Sequence, residues 1–213
     1  MESTICPDIP TGTQLIETFR WDPVTGPARI DLHLDRMCSS AKVLGYAYSR
    51  TSCLEKIGKI SASVPLRCRM TLGRDGAIGM TQAPLGETAA QWRVRFALTR
   101  LSADDFWLRH KTTQRALYDA DRAALPSGID EYIYLNDRDE VCEGTITTVF
   151  AKINGIWKTP PLSSGCLPGV LRRAKIQDAS CRVGIITRED LENAEQIHVG
   201  NALRGEIPAV LTS

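Results

Sequence analysis

Three kinds of chemically useful group follow one another between residues 109 and 172. Lys111 lies in R-H-K-T-T-Q-R, Glu143 opens E-G-T-I-T-T-V-F, and T-P-P-L-S-S-G-C-L-P-G-V-L-R carries Leu167, Gly169, Val170 and Leu171. A lysine whose charged form is disfavoured by partial desolvation is an amine nucleophile. A glutamate among β-forming residues can turn a carboxylate inward. A glycine-bearing turn entering a helix near Pro168 offers backbone N–H groups and the positive end of the helix dipole, which suit a phosphate. The turn H-V-G-N-A-L-R-G, with Asn201 and Ala202, offers amides in the same way. Each group has a plainer alternative: a solvated lysine beside other basic residues, an edge glutamate facing water, ordinary helix capping.

The elements that must position these groups divide at A-P-L-G-E-T-A-A, around residues 83–90, where proline, glycine and small residues interrupt the pattern. Residues 1–85 read as a small α+β domain and 86–213 as a second domain. In the first, residues 14–21 form a strand. Asp31 is placed to cap a helix that buries Leu34, Met37, Ala41 and Leu44 and stops at Gly45, with His33, Arg36 and Lys42 not required on the buried face. Residues 66–72 alternate into a hairpin with Arg67 and Arg69 on the non-core side, either solvated or binding carboxylates. In the second domain a strand runs from Trp92 to Leu98 with Val94, Phe96 and Leu98 on one face. A helix begins near Gln114 and ends before Pro126. Strands follow over residues 131–136 and from Val141 through Thr147, Val149 and Ala151, the latter turning at Asn154-Gly155.

Bulk composition excludes several classes. The 213 residues carry 26 Lys and Arg against 25 Asp and Glu, a net charge of +1 with no long-range pull on nucleic acid or anionic membrane. Seven cysteines without a C-x-x-C pair, and three scattered histidines, give no metal-ligand spacing and suggest reduced thiols. Neither a signal peptide nor a membrane span is read, so a cytoplasmic location is expected.

In order and spacing, H-K-T-T-Q-R, E-G-T-I-T-T-V-F and T-P-P-L with L-P-G-V-L-R, flanked by I-E-T-F-R, H-L-D-R-M and N-A-L-R-G, resemble the fold-type IV pyridoxal-phosphate enzymes, the class IV aminotransferase family. That class contains branched-chain and D-amino-acid aminotransferases and 4-amino-4-deoxychorismate lyases. The resemblance implies a two-domain α/β (α+β) fold, with an N-terminal α+β domain, a C-terminal barrel-like α/β domain and pyridoxal 5'-phosphate at the domain interface. It implies that Lys111 bonds to the cofactor aldehyde and that Glu143 keeps the ring nitrogen protonated. Arg36, Leu167, Gly169, Val170, Leu171, Asn201 and Ala202 would surround the phosphate. Ala116 stands where many aminotransferases have a tyrosine, and Thr148 where asparagine is frequent.

The motifs look most like the lyase branch, which releases pyruvate and forms 4-aminobenzoate for folate synthesis. That substrate has two carboxylates, for which Arg20, Arg69 and Arg204 are expected partners, with Thr18 contacting substrate or assisting proton transfer. An aminotransferase acting on branched-chain or D-amino acids is the second reading. A cofactor-binding homologue without catalysis is the third. A small amino substrate and a homodimer are expected, without metal, nucleic acid or membrane partners.

Overall fold

Glu17, buried on the first strand of the chain, decides which face of the first helix packs inward. The computed structural model describes residues 8–212, so Cys6 lies outside the described residues. Among the described residues, 8–86 form one compact unit together with His110–Gln114; Glu87–Arg109 and 115–212 form a second. The first unit consists of β1 (Leu15–Asp22), β2 (Gly26–Pro27), α1 (Ile30–Leu44), α2 (Arg50–Ile57), β3 (Leu66–Leu72) and β4 (Ile78–Pro84). Its strands lie in the order β2-β1-β3-β4, all antiparallel. Leu66, Cys68, Met70 and Leu72 alternate inward as the sequence predicts, with Leu15 and Phe19 of β1 and the α1 residues Leu34, Met37, Ala41 and Leu44 also buried.

Two expectations for α1 change. Asp31 is not its cap: the N-cap is Arg29, in the left-handed region at φ 52°, with no side-chain capping bond, and Asp31 lies in the first turn. His33 and Arg36 do share the buried face, because Glu17 stands across from them on β1. Arg36 donates to Glu17 Oε1 from Nε at 2.8 Å and to Oε2 from Nη2 at 2.6 Å, and His33 Nδ1 lies 2.6 Å from Oε2. Charged side chains tolerate burial when paired in this way. Gly45 ends the helix at φ 69°, as expected of a left-handed cap. The helix α2 carried no readable signal, since it buries Cys53 and Ile57 alone among its eight residues.

The second unit contains β5 (Trp92–Phe96), a 3-10 turn (Phe106–Arg109), α3 (Ala116–Ala123), β6 (Glu131–Leu135), β7 (Val141–Gly144), β8 (Thr148–Ile153), β9 (Ile156–Thr159), α4 (Val170–Gln177), β10 (Arg182–Val183), α5 (Arg188–Glu192), β11 (Gln196–Asn201) and β12 (Gly205–Leu211). Its sheet runs β10-β9-β8-β11-β12-β5-β6-β7. On a flat sheet the five steps from β8 to β7 would span roughly 24 Å. The three residues joining them, 145–147, reach roughly 14 Å at most. The sheet therefore curls back on itself, barrel-like, around Val94, Ile133, Val141, Val149, Ile186, Leu191, Val199 and Ile207.

That closure overturns the single strand expected from Val141 through Thr147 to Ala151. The chain leaves the ladder at 145–147 and winds around the carboxylate of Glu131, which is fully buried. Glu131 accepts from the amides of Thr145 (3.0 Å) and Ile146 (3.2 Å) and from the hydroxyls of Thr145 and Thr147, and Arg122 stands 3.6 Å away. Gly144 must be glycine here, because a Cβ would meet Thr147 Oγ1 and would lie 2.9 Å from Glu131 Cδ. A second correction concerns Leu98: the strand stops at Phe96 and Leu98 is fully exposed. The Asn154-Gly155 turn is confirmed, with φ 51° and 73°, the left-handed pair a tight hairpin requires.

Replacing Glu131 by glutamine substitutes two donors for an acceptor inside this loop. Glu131→Gln is expected to lower unfolding stability by about 3 kcal/mol, read from urea melts; a loss under about 1 kcal/mol would refute the organising role given to the carboxylate.

Candidate functional site

Lys111 reaches its position through backbone pairing with β1. Leu15 and Thr112 form an antiparallel bridge, Ile16 N–H donates to Lys111 O at 2.8 Å, and Thr113 N–H donates to Gln14 O at 3.0 Å. His110 Nδ1 hydrogen-bonds Ser40 Oγ of α1 at 3.0 Å, and Gln114 Nε2 donates to Thr13 Oγ1 at 2.8 Å. The bridge sets the Lys111 backbone beside Ile16 of β1.

The strand register gathers arginines on the face of β1 that carries Thr18 and Arg20. Thr18 pairs with Arg69, Arg20 pairs with Arg67, and Arg69 pairs across to Thr81 of β4. Like charges placed directly opposite each other on a sheet repel. Arg20 is partly offset by Asp22, 3.2 Å from its Nη2. Thr18, Arg20 and Arg69, named from sequence, are thus brought together, and Arg67 joins them. Alternation along β3 had already put Arg67 on that side, but only the β1 register sets it against Arg20.

On the opposite side of the sheet, two Arg36 nitrogens are held by Glu17. Burial raises the Glu17 carboxyl, yet the Arg36 charge and hydrogen bonds from His33 and Arg36 outweigh it and hold the pKa at about 2. Burial lowers the pKa of His33, Glu17 opposes this, and the charges of Arg36 and Lys111 push it further down. His33 Nε2 is buried without a hydrogen-bond partner.

In the second unit Glu143 is aimed by a β-bulge. Leu135 pairs with Val141 and Ile133 with Gly144, so Cys142 and Glu143 together oppose Tyr134 alone. The extra residue turns Glu143 away from the apolar barrel core and towards the side where Tyr118, Tyr134 and Cys142 pack. There Tyr118 donates its hydroxyl to Glu143 Oε1 at 2.7 Å, and Leu167 N–H donates to Oε2 at 2.9 Å. The buried Glu143 thus meets the inward expectation. No sequence signal marked Tyr118, because the bulge that brings Glu143 to it leaves no trace in residue type.

The remaining predicted positions lie around α4 and the β11–β12 turn. Gly169 is the N-cap of α4, which has no side-chain capping bond, and the first amides of a helix lack acceptors within it. A Cβ on Gly169 would lie 2.6 Å from Thr148 Oγ1, so glycine is needed for this approach. Val170 and Leu171 open the helix and are buried. The Leu167 amide is bound by Glu143, so its link is to the carboxylate. Asn201 holds its own turn: Oδ1 accepts from Leu203 N–H (3.1 Å) and Arg204 N–H (3.0 Å), while Nδ2 donates to Ile146 O (3.2 Å). Ala202 lies within that turn, and the Arg204 guanidinium lies over the Trp92 ring, 5.9 Å from its centroid.

The donor set matches the chemistry of an aromatic aldehyde phosphate. The first unit supplies an amine and an arginine; the second by itself supplies a buried carboxylate bound by a tyrosine hydroxyl and a backbone amide, and a helix amino end without a side-chain cap. Among the described residues no His, Cys, Asp and Glu group of three or more fits a metal, and no helix is long and apolar enough to cross a membrane.

The Glu17 cluster makes stability depend on pH in one direction. The Glu17 pKa falls from 4.5 in the unfolded chain to about 2, so its contribution is present above 4.5 and is lost as pH falls towards about 2. His33 adds the same sign, because below 6.5 the unfolded chain takes a proton that the folded state resists. Acid titration should therefore remove roughly 3 kcal/mol through Glu17. In Glu17→Gln that loss should already be present at neutral pH, and urea melts across the range should show a flatter acid limb.

The amino-transferase class IV family model matches residues 14–211. A Schizosaccharomyces pombe protein named "Putative aminodeoxychorismate lyase" is 28% identical over 192 residues, covering 84% of this chain and 82% of its own. A crystal structure from Mesorhizobium loti, described as a "Putative amino-acid aminotransferase", is 40% identical, covers 94% of this chain and 100% of its own, and superposes with a TM-score of 0.89. A Legionella pneumophila structure described as a "Putative 4-amino-4-deoxychorismate lyase" shares the fold at 20% identity, covering 99% of this chain and 89% of its own with a TM-score of 0.84. With nearly its whole length matched, the chain belongs to the class IV aminotransferase family, enzymes that use pyridoxal phosphate.

Proposed function

We propose that this chain is a pyridoxal-phosphate-dependent 4-amino-4-deoxychorismate lyase, releasing pyruvate and 4-aminobenzoate. The observation that carries the reading is the Arg20, Arg67 and Arg69 grouping on one face of β1 and β3, the strand β1 also pairing with the Lys111 segment. Repulsion among these guanidinium groups is relieved by an anionic ligand, and a substrate with two carboxylates suits them.

In the first unit Lys111 and Arg36 are the groups that would hold the cofactor; in the second they are Glu143 and the Gly169–Leu171 helix start, with Asn201 bracing the neighbouring turn. When bound, pyridoxal phosphate supplies an electron-withdrawing ring. Lys111 accepts the proton from the substrate ring carbon through its neutral amine and can return it as an acid. Thr18, across from Arg69, donates its hydroxyl towards the leaving pyruvate group. Arg20 and Arg69 bind the carboxylates. Arg204, which packs on Trp92, is the weakest of the expected substrate contacts. The reading includes a small amino substrate, a homodimer and a cytoplasmic setting.

A second reading, amino-group transfer, is favoured by the 40% identity to the Mesorhizobium loti protein. There Lys111 would move a proton from the α-carbon of an amino acid, and the arginines would bind a dicarboxylic keto acid.

Purified protein incubated with pyridoxal phosphate is expected to gain a visible absorption band that Lys111→Ala abolishes. Adding aminodeoxychorismate should then release pyruvate; a keto acid formed from an amino acid and 2-oxoglutarate, with no pyruvate from aminodeoxychorismate, would establish the second reading instead. No band in the wild type would sink both. Arg69→Gln should raise KM for the dicarboxylate about tenfold while leaving kcat within about twofold, as expected when uniform substrate binding is lost.

A further inference from the structure

We propose that Tyr118 is a positioning residue acting through Glu143: its hydroxyl keeps that carboxylate ionised and fixes its plane. The inference rests on the reading that Glu143 serves the cofactor ring. It extends that reading to a residue outside the motifs.

The geometry is specific. Tyr118 Oη lies 2.7 Å from Glu143 Oε1, while the other carboxylate oxygen receives the Leu167 amide. Two donors on different oxygens set the carboxylate plane, and donors to the charged form favour it. Tyr118 is itself held edge-on to Tyr134, with centroids 5.2 Å apart and an interplanar angle of 90°, and Tyr134 donates to Asp121 Oδ2 at 2.7 Å. The Arg115 guanidinium also lies against the Tyr118 ring, 5.8 Å from its centroid, and is anchored by Asp119 and by Thr145 O. A tyrosine ring packed against both Tyr134 and Arg115 cannot swing away at little cost, so its hydroxyl acts as a fixed donor.

Tyr118, Tyr134, Cys142 and Cys166 are titratable groups that feel Glu143. Burial pushes all four upward, and Glu143 pushes them further, so each stays neutral at physiological pH. Of these four, Tyr118 is the one that donates a hydrogen bond to Glu143, and a donor to the charged form favours that form.

The test removes the hydroxyl and keeps the ring. In the cofactor-free protein, carbon NMR of labelled glutamate carboxyls, with the Glu143 signal assigned through Glu143→Gln, should show its midpoint rising by about one unit in Tyr118→Phe, a tenfold gain in proton affinity. Tyr134→Phe, which leaves the Tyr118–Glu143 bond intact, should not shift it. With pyridoxal phosphate bound, the pH profile of the visible band should move in the same direction in Tyr118→Phe, while its thermal midpoint stays close to wild type. A Glu143 midpoint unchanged in Tyr118→Phe overturns the proposal alone, as does a Tyr118→Phe protein that does not fold, since the hydroxyl would then be structural. A wild type without a cofactor band instead overturns the functional reading, and with it this role.

Discussion

The Glu131 carboxylate, enclosed by the 145–147 loop, is the constraint on which the second unit turns. Closing the curled sheet requires a crossing from β7 to β8 within three residues, and the amides that leave the ladder there need acceptors in a dry interior. Glu131 accepts from two of them and from two threonine hydroxyls, while Arg115, Arg122 and Asn201 secure Thr145 and Ile146 from outside. Glu143 sits one residue before the glycine at which this loop begins. The carboxylate assigned to chemistry is thus held next to one that serves closure.

The first unit uses a buried carboxylate for a different purpose. Glu17 binds an arginine and a histidine of α1, which locks the rotation of that helix against β1. Its partners carry or can carry positive charge, and its acidity is correspondingly strong. Glu131 is held chiefly by neutral donors with one distant arginine. Both carboxylates are integral to packing, yet the residues they organise, Arg36 in one unit and the 145–147 loop in the other, carry or adjoin the groups given functional roles. Fold and site are therefore coupled through polar contacts as much as through the apolar core.

Much of this was legible in the residues. The alternation of Leu66, Cys68, Met70 and Leu72, the helical spacing of Leu34, Met37, Ala41 and Leu44, and the Asn154-Gly155 turn express local rules that tertiary contacts reinforced. Leu98 failed because alternation does not say where a strand stops pairing. The unbroken strand through Thr147 failed because threonine and isoleucine favour strands wherever they occur, while the competing acceptor, Glu131, is fourteen residues from Thr145 in sequence.

By itself, the sequence determined the family and the order of its motifs, and it named the candidate amine, carboxylate and glycine turn, because side-chain chemistry and short-range spacing are written in residue types. The tertiary structure alone decided that Glu17 draws His33 and Arg36 into the interior, that Arg20 stands against Arg67, and that a bulge turns Glu143 to Tyr118. Register, bulge and buried pairing are relations between segments distant along the chain. Their energies come from which groups finally share the same dry space, and no single segment encodes that.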